Sequence, residues 1–326
     1  MTSTANKLII HMGLHKTGTK SIQSFFSEFR DPISAAGLYY PVSGCVGFER
    51  AHHNICRFYS QNADEKSRFI PNAGGEAELN NEIRQLNKDV LLSSEGFWVL
   101  ARDEPERFAA FVSNVAAGRR VIFLITWRNA AEYCESLYFQ HAKTKQMVGI
   151  DKAAQSFFSI PAKFEEVVTF LSKTIGAETM IIQYDKDMLE VFLNMMSTYL
   201  NVKIDRNLKV IRQINISLSP AQKLIAAHLS LSKIRFDPES YKKILDSLGE
   251  GTSKQRLGEG GSIMPESLQE KLIELSVQGL RSILARNTRV ALYPERLPDH
   301  FKTRPCLIED MGIFTFPKLR SVLEAI

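Results

Sequence analysis

The chain has 326 residues, 44% hydrophobic and 24% charged, a composition that suits a globular protein with a large core in one large or two small domains. Its net charge of +5 suits an anionic ligand and is too small and too scattered to argue for a nucleic-acid partner. No apolar run approaches the ~20 residues that span a bilayer, the N-terminus MTSTANK lacks a signal-peptide pattern, and the four cysteines have neither C-x-x-C nor zinc spacing, so a cytoplasmic protein with reduced thiols is expected.

In chain order, the apolar run Leu8-Ile9-Ile10 predicts a buried strand, and Ile22, Phe25, Phe26 and Phe29 recur at helical spacing after it. Leu38 to Tyr40 predicts a short strand, and residues 41 to 75, with four glycines, an irregular connection. Glu76 to Asn87 predicts a helix, Val90 to Ser94 a second buried strand ending at Glu95-Gly96, and Glu104 to Ala117 a helix closed by Gly118. VIFLITW, Val121 to Trp127, predicts a third core strand, followed by a long helix to about Lys145 and helices over 152–159 and 163–175. Met180 to Tyr184 predicts a fourth core strand, followed by a helix to Leu200. Strands alternating with helices predict an α/β fold: a three-layer parallel sheet with helices on both faces. Beyond Asn201 the pattern changes to helices over 219–231 and 265–286, a glycine-rich loop over 249–261 and a Pro-rich end. One domain over 1–326 is expected, with an α/β core in 1–200 and a mostly helical extension in 201–326.

The most informative segment joins the first strand to the first helix: Gly13-Leu14-His15-Lys16-Thr17-Gly18-Thr19-Lys20-Ser21. A strand, a Gly/Thr/Lys loop and a helix N-terminus catch phosphate, because backbone N–H groups and the helix dipole face the anion and a lysine adds charge. A Walker loop, G-x-x-x-x-G-K-[ST], has lysine directly after its second glycine. Here Thr19 intervenes, so Lys20-Ser21 is displaced by one position, while Lys16 precedes Gly18 by two.

HKTGTKSIQ resembles the phosphosulfate-binding loop of sulfotransferases that use 3′-phosphoadenosine 5′-phosphosulfate (PAPS), in which lysine precedes the glycine as Lys16-Thr17-Gly18-Thr19 does. Lys20 stands where that family usually has Thr or Ser. The family's second motif is an arginine at a strand end and a serine eight residues on, as in Arg128 to Ser136 directly after VIFLITW. Two further likenesses are MIIQYDKDML, which ends a strand at Tyr184, and NISLSPAQ at 215–222. The resemblance covers most of residues 8 to 231, implies a P-loop-like nucleotide-binding fold of bacterial type, and makes PAPS the cosubstrate with no metal required.

It further implies that His15, Lys16, Thr17, Gly18, Thr19, Lys20 and Ser21 surround the 5′-phosphosulfate, that Arg128 and Ser136 hold the 3′-phosphate, and that Tyr184 lies near the nucleotide. The reaction expected is in-line sulfuryl transfer to a hydroxyl or amine of a carbohydrate or small-molecule acceptor, with Lys16 stabilising the leaving oxygen. Glu95, at the carboxyl end of a core strand where α/β sheets bind ligands, is the preferred general base, with His53 or His52 as competitors. His11, among apolar neighbours, is expected to be a satisfied core histidine. Two alternatives stand beside this: a P-loop kinase using ATP and Mg, and an inactive nucleotide- or glycan-binding module. No feature specifies the acceptor or the oligomeric state.

Overall fold

The computed structural model describes residues 5–14, 16–46, 50–155, 158–185, 187–205, 208, 220–231, 235–249, 262, 264–295 and 303. The elements run β1 (Lys7–Gly13), α1 (Thr19–Glu28), α2 (Arg30–Ala35), β2 (Leu38–Tyr39), α3 (His53–Tyr59), α4 (Ala63–Ser67), α5 (Glu76–Ile83) and β3 (Asp89–Ser93). Next come α6 (Glu95–Asp103), α7 (Pro105–Ala116), β4 (Arg120–Trp127), α8 (Ala130–Ala142), α9 (Ile150–Gln155), α10 (Ile160–Thr169) and β5 (Glu178–Gln183). The rest are α11 (Met188–Leu200), α12 (Pro220–Leu231), α13 (Pro238–Gly249), α14 (Glu266–Arg286) and β6 (Val290–Tyr293). They form two compact units interleaved along the sequence: Met1–Arg128 with Lys163–Ile214 and Arg281–Leu297, and Asn129–Ala162 with Asn215–Leu280 and Pro298–Ile326.

The first unit carries a six-stranded, wholly parallel sheet in the order β2-β3-β1-β4-β5-β6. This is the α/β fold that the alternating pattern predicts. Leu8, Ile9 and Ile10 are fully buried, as a central parallel strand covered on both faces requires. On one face Ile9, Leu91, Leu124 and Ile182 pack with Phe25 and Phe26 of α1 and Phe192 and Met196 of α11. On the other, Phe123 meets Phe108 of α7 at 5.8 Å between ring centroids, and Phe97 of α6 stacks on Phe111 at 5.2 Å. After β1 the chain leaves toward β2 at one edge, and after β4 toward β5 on the other side. The carboxyl ends of β1 and β4 thus flank the point where strand order reverses, the crevice in which open α/β sheets hold ligands.

Six elements depart from what the sequence predicts. Residues 41 to 75 are not irregular throughout: they hold α3, α4 and a 3₁₀ turn over Pro71–Ala73. Asn54 closes this segment, donating from Nδ2 to the Ile70 and Gly74 carbonyls at 2.9 and 2.8 Å and accepting from the Ile70 amide at 2.8 Å. Glu95 does not merely end β3; it opens α6, which Ser94 caps by accepting from the Gly96 amide at 3.0 Å. Within the stretch expected to be mostly helical, α13 is an added helix and β6 an added edge strand beside β5. The glycine-rich segment over 250–261 and most of the Pro-rich end lie outside the described residues.

The second unit has its own apolar core. Ala130, Cys134, Tyr138 and Phe139 of α8 pack with Ala226 and Leu229 of α12, Tyr241 and Ile244 of α13, and Leu272 of α14. Cys45, Cys56 and Cys134 are free thiols. Cys306 lies outside the described residues.

Candidate functional site

The loop after β1 is shaped by two left-handed residues, Lys16 at φ 66° and Gly18 at φ 77°. The fully buried Thr17 donates its hydroxyl to the Leu14 carbonyl at 2.6 Å, which folds the loop back on the strand. Gly18 caps α1 in the left-handed conformation and has no side chain with which to satisfy the first turn. A Cβ at Gly18 would meet Cβ of Met188 at 2.8 Å, so both the backbone and the space require glycine. At Gly13 a Cβ would collide with Cγ2 of Thr19, which lets β1 and the first residue of α1 approach closely. Lys16 is half-buried, and Lys20 and Ser21 are exposed. The Ser21 amide donates to the Gly18 carbonyl at 3.1 Å, which closes the first turn of α1. His15 lies outside the described residues.

Arg128 follows β4 and reaches this loop directly, with Nη1 donating to the Lys16 carbonyl at 3.0 Å. Its guanidinium lies 4.3 Å from the centroid of the Tyr184 ring, and the Tyr184 amide donates to the Trp127 carbonyl at 2.7 Å. Three strand ends thus bring Lys16, Arg128 and Tyr184 together. Ser136 is half-buried on α8 in the second unit.

A polar cluster lies on the other side of the loop. Glu95 is only 7% exposed. One of its oxygens accepts from the Thr19 hydroxyl, and the other accepts from Nε2 of Gln23 at 2.9 Å. Nε2 of His53 stands 3.6 Å from Oε2 of Glu95, and Nδ1 of His53 is 2.6 Å from the Ser94 hydroxyl. Burial alone would raise the Glu95 carboxyl's pKa, but the His53 charge and the Thr19 and Gln23 donors outweigh it and hold the group below its usual range. Glu95 and His53, competitors in the sequence reading, are therefore partners.

His52 is a different case. Its Nε2 bonds the Pro41 carbonyl at 3.2 Å, and its Nδ1 accepts from the Ser93 amide at 3.0 Å. It is fully buried, and burial pushes its pKa down to about 4. With both ring nitrogens used, His52 ties the residues before α3 to the end of β3 and is not available as a base. His11 is a satisfied core histidine: Nδ1 lies 2.8 Å from the Ser93 hydroxyl, Nε2 3.3 Å from the Thr126 hydroxyl, and burial lowers its pKa to about 4. Gln23, which ends the HKTGTKSIQ segment and has no role assigned from the sequence, joins the site by lying one turn beyond Thr19 on α1.

Among the described residues, no helix is long and apolar enough to cross a membrane. No protein-family model matches the chain, and no curated protein matches it in sequence. Among solved structures, one from the characterization of the PezAT chromosomal toxin-antitoxin system of the human pathogen Streptococcus pneumoniae resembles it at 10% identity and a TM-score of 0.32, covering 88% of this chain and 90% of that one. A likeness of that size specifies no activity.

Proposed function

We propose that the protein is a PAPS-dependent sulfotransferase acting on a hydroxyl or amine of a carbohydrate or small-molecule acceptor. The observation that carries this reading is the junction of Arg128 with the Lys16 loop at the strand-order reversal, beside Tyr184. That junction suits a nucleotide bearing phosphate at two places. The loop amides and Lys16 hold the 5′-phosphosulfate, and Arg128 presents its planar fork to the 3′-phosphate. Tyr184 offers an aromatic face beside it.

For a hydroxyl acceptor, the acceptor oxygen attacks sulfur in line. A new O–S bond forms as the bond from sulfur to the 5′-phosphate oxygen breaks, and 3′,5′-ADP leaves. Lys16 meets the negative charge growing on the departing oxygen, and the Glu95–His53 pair receives the acceptor proton and passes it to solvent. No metal ion is needed for these steps.

A kinase reading retains one supporting feature, the acidic Glu95 beside the Thr19 hydroxyl at the loop. Thermal-shift titration separates the two, because a ligand of the folded state raises its midpoint. The midpoint is expected to rise with 3′,5′-ADP and to move little with ATP and Mg. The reverse order rejects the sulfotransferase reading. Binding of PAPS without product in an acceptor screen indicates an inactive module.

A further inference from the structure

We infer that Thr19 is not a phosphate ligand but a positioning residue: through Glu95 it sets His53, which is the member of the pair that meets the acceptor. The inference rests on the transfer reading above and assigns work within the same site.

A threonine hydroxyl has one proton to donate. That of Thr19 goes to Oε1 of Glu95, and the residue is 3% exposed with its methyl packed against Gly13. A phosphate in the loop can use the Thr19 amide, but the hydroxyl proton is committed. Gln23 repeats the pattern one turn later, giving its Nε2 hydrogen to the other oxygen at 2.9 Å. Two side chains of the phosphate-facing helix therefore grip one carboxylate.

That carboxylate is poorly placed to take a proton from an acceptor. It is almost buried, and its neighbours hold it in the charged form. A carboxylate accepting several hydrogen bonds is a weakened base. Its unspent direction is toward His53, whose side chain is 26% exposed against 9% for that of Glu95. The Ser94 hydroxyl fixes the ring at Nδ1, 2.6 Å away, while Nε2 lies 3.6 Å from Oε2 of Glu95, beyond hydrogen-bond reach, so the carboxylate acts on it by charge and leaves that nitrogen to meet the acceptor. A carboxylate beside an imidazole stabilises the imidazolium that forms when the ring takes a proton. Here the carboxylate is anchored to α1, so the helix that carries the phosphate loop also sets the residue facing the acceptor.

The test uses Thr19→Val, Thr19→Ser, Glu95→Gln and His53→Gln in the full chain. The first readout is affinity for 3′,5′-ADP by calorimetry. Thr19→Val is expected to bind within twofold of wild type, whereas Lys16→Ala weakens binding at least tenfold. A tenfold loss in Thr19→Val, restored by Thr19→Ser, makes the hydroxyl a phosphate ligand and overturns the inference. The second readout is the His53 ring resonance, assigned through His53→Gln. It is expected to move in both Thr19→Val and Glu95→Gln and to return in Thr19→Ser. An unmoved resonance in Thr19→Val also overturns the inference, because Thr19 then does not act on His53. If wild-type protein fails to bind 3′,5′-ADP, the functional reading falls on its own, before any variant is compared.

Discussion

Arg128 donates to the main-chain carbonyl of Lys16 while its guanidinium stacks on Tyr184, so one side chain joins the ends of β1, β4 and β5. The arginine is in a position both to shape the loop and to meet a ligand held there. These two roles separate experimentally. A brace acts on every ligand of the loop alike, whereas a ligand to the 3′-phosphate acts only on nucleotides that carry one. Arg128→Ala is expected to weaken 3′,5′-ADP binding at least tenfold and 5′-AMP binding much less, in line with about 1.5–3 kcal/mol for a hydrogen bond to a charged group. Equal losses, measured by calorimetry, reduce Arg128 to a brace. Arg128→Lys is expected to restore little, since an ammonium cannot offer a planar fork.

Gly18 tests the loop from the backbone side. Its left-handed conformation costs a residue with a Cβ about 1–2 kcal/mol, and overpacking against Met188 adds about 1–3 kcal/mol. Gly18→Ala is expected to lower the urea midpoint and to abolish stabilisation by 3′,5′-ADP. Gly118→Ala also has a positive φ, but nothing lies within 4 Å of its added Cβ. It is expected to show the backbone cost alone and to keep ligand binding.

Two buried histidines give stability a defined pH dependence. His11 and His52 are each lowered from 6.5 to about 4, so the folded state holds them neutral. Their contribution is fully present above pH 6.5, where both states are neutral. It declines as pH falls toward 4, because the unfolded chain takes up protons that the folded one refuses. Each shift corresponds to roughly 3 kcal/mol across that window. Glu95, held below its usual 4.5, acts in a lower window, stabilising above that value and losing its contribution as pH falls further. Urea midpoints are expected to drop between pH 7.5 and pH 5, and His52→Asn is expected to flatten the slope. A slope unchanged by that substitution rejects the assignment for His52.

The parts of the fold legible in the sequence are those with strong local signals. β1, β3, β4 and β5 are near-continuous apolar runs because parallel strands at the centre of a sheet are buried on both faces. β6 has four residues with alternating burial at the sheet edge, too short to stand out after the 21-residue α14. The seven-residue α3 follows His52, which makes no side-chain cap, so it carries no clear start signal; α6 does carry one, the Ser94 cap with Glu95 in the first turn, but that signal falls at the end of the apolar β3 run and is followed by Gly96. The loop residues around Lys16 and the position of Arg128 were readable as spacings along the chain. The joining of His53 to Glu95 was not, because it depends on where the segment before α3 docks against the end of β3. That docking is made by backbone and ring contacts such as the His52 amide to the Ser93 carbonyl at 2.9 Å.

Lys16 provides the most direct test of the chemistry. It is the loop's half-buried cation, it precedes Gly18 by two residues, and its carbonyl is gripped by Arg128. Lys20, the lysine nearest the Walker position, is exposed on the first turn of α1. If Lys16 meets charge on the leaving oxygen, its loss falls chiefly on the rate, by ~10²–10³ as for other removed electrostatic stabilisers of a transition state. Lys16→Ala is expected to retain the wild-type far-ultraviolet circular dichroism and urea midpoint while PAPS turnover falls by ~10²–10³. Lys20→Ala is expected to keep turnover within about tenfold, because an exposed cation contributes mainly to anion binding and is screened by salt. Loss of turnover in Lys20→Ala with its retention in Lys16→Ala reverses the roles of the two lysines and makes Lys20 the cation that meets the leaving oxygen.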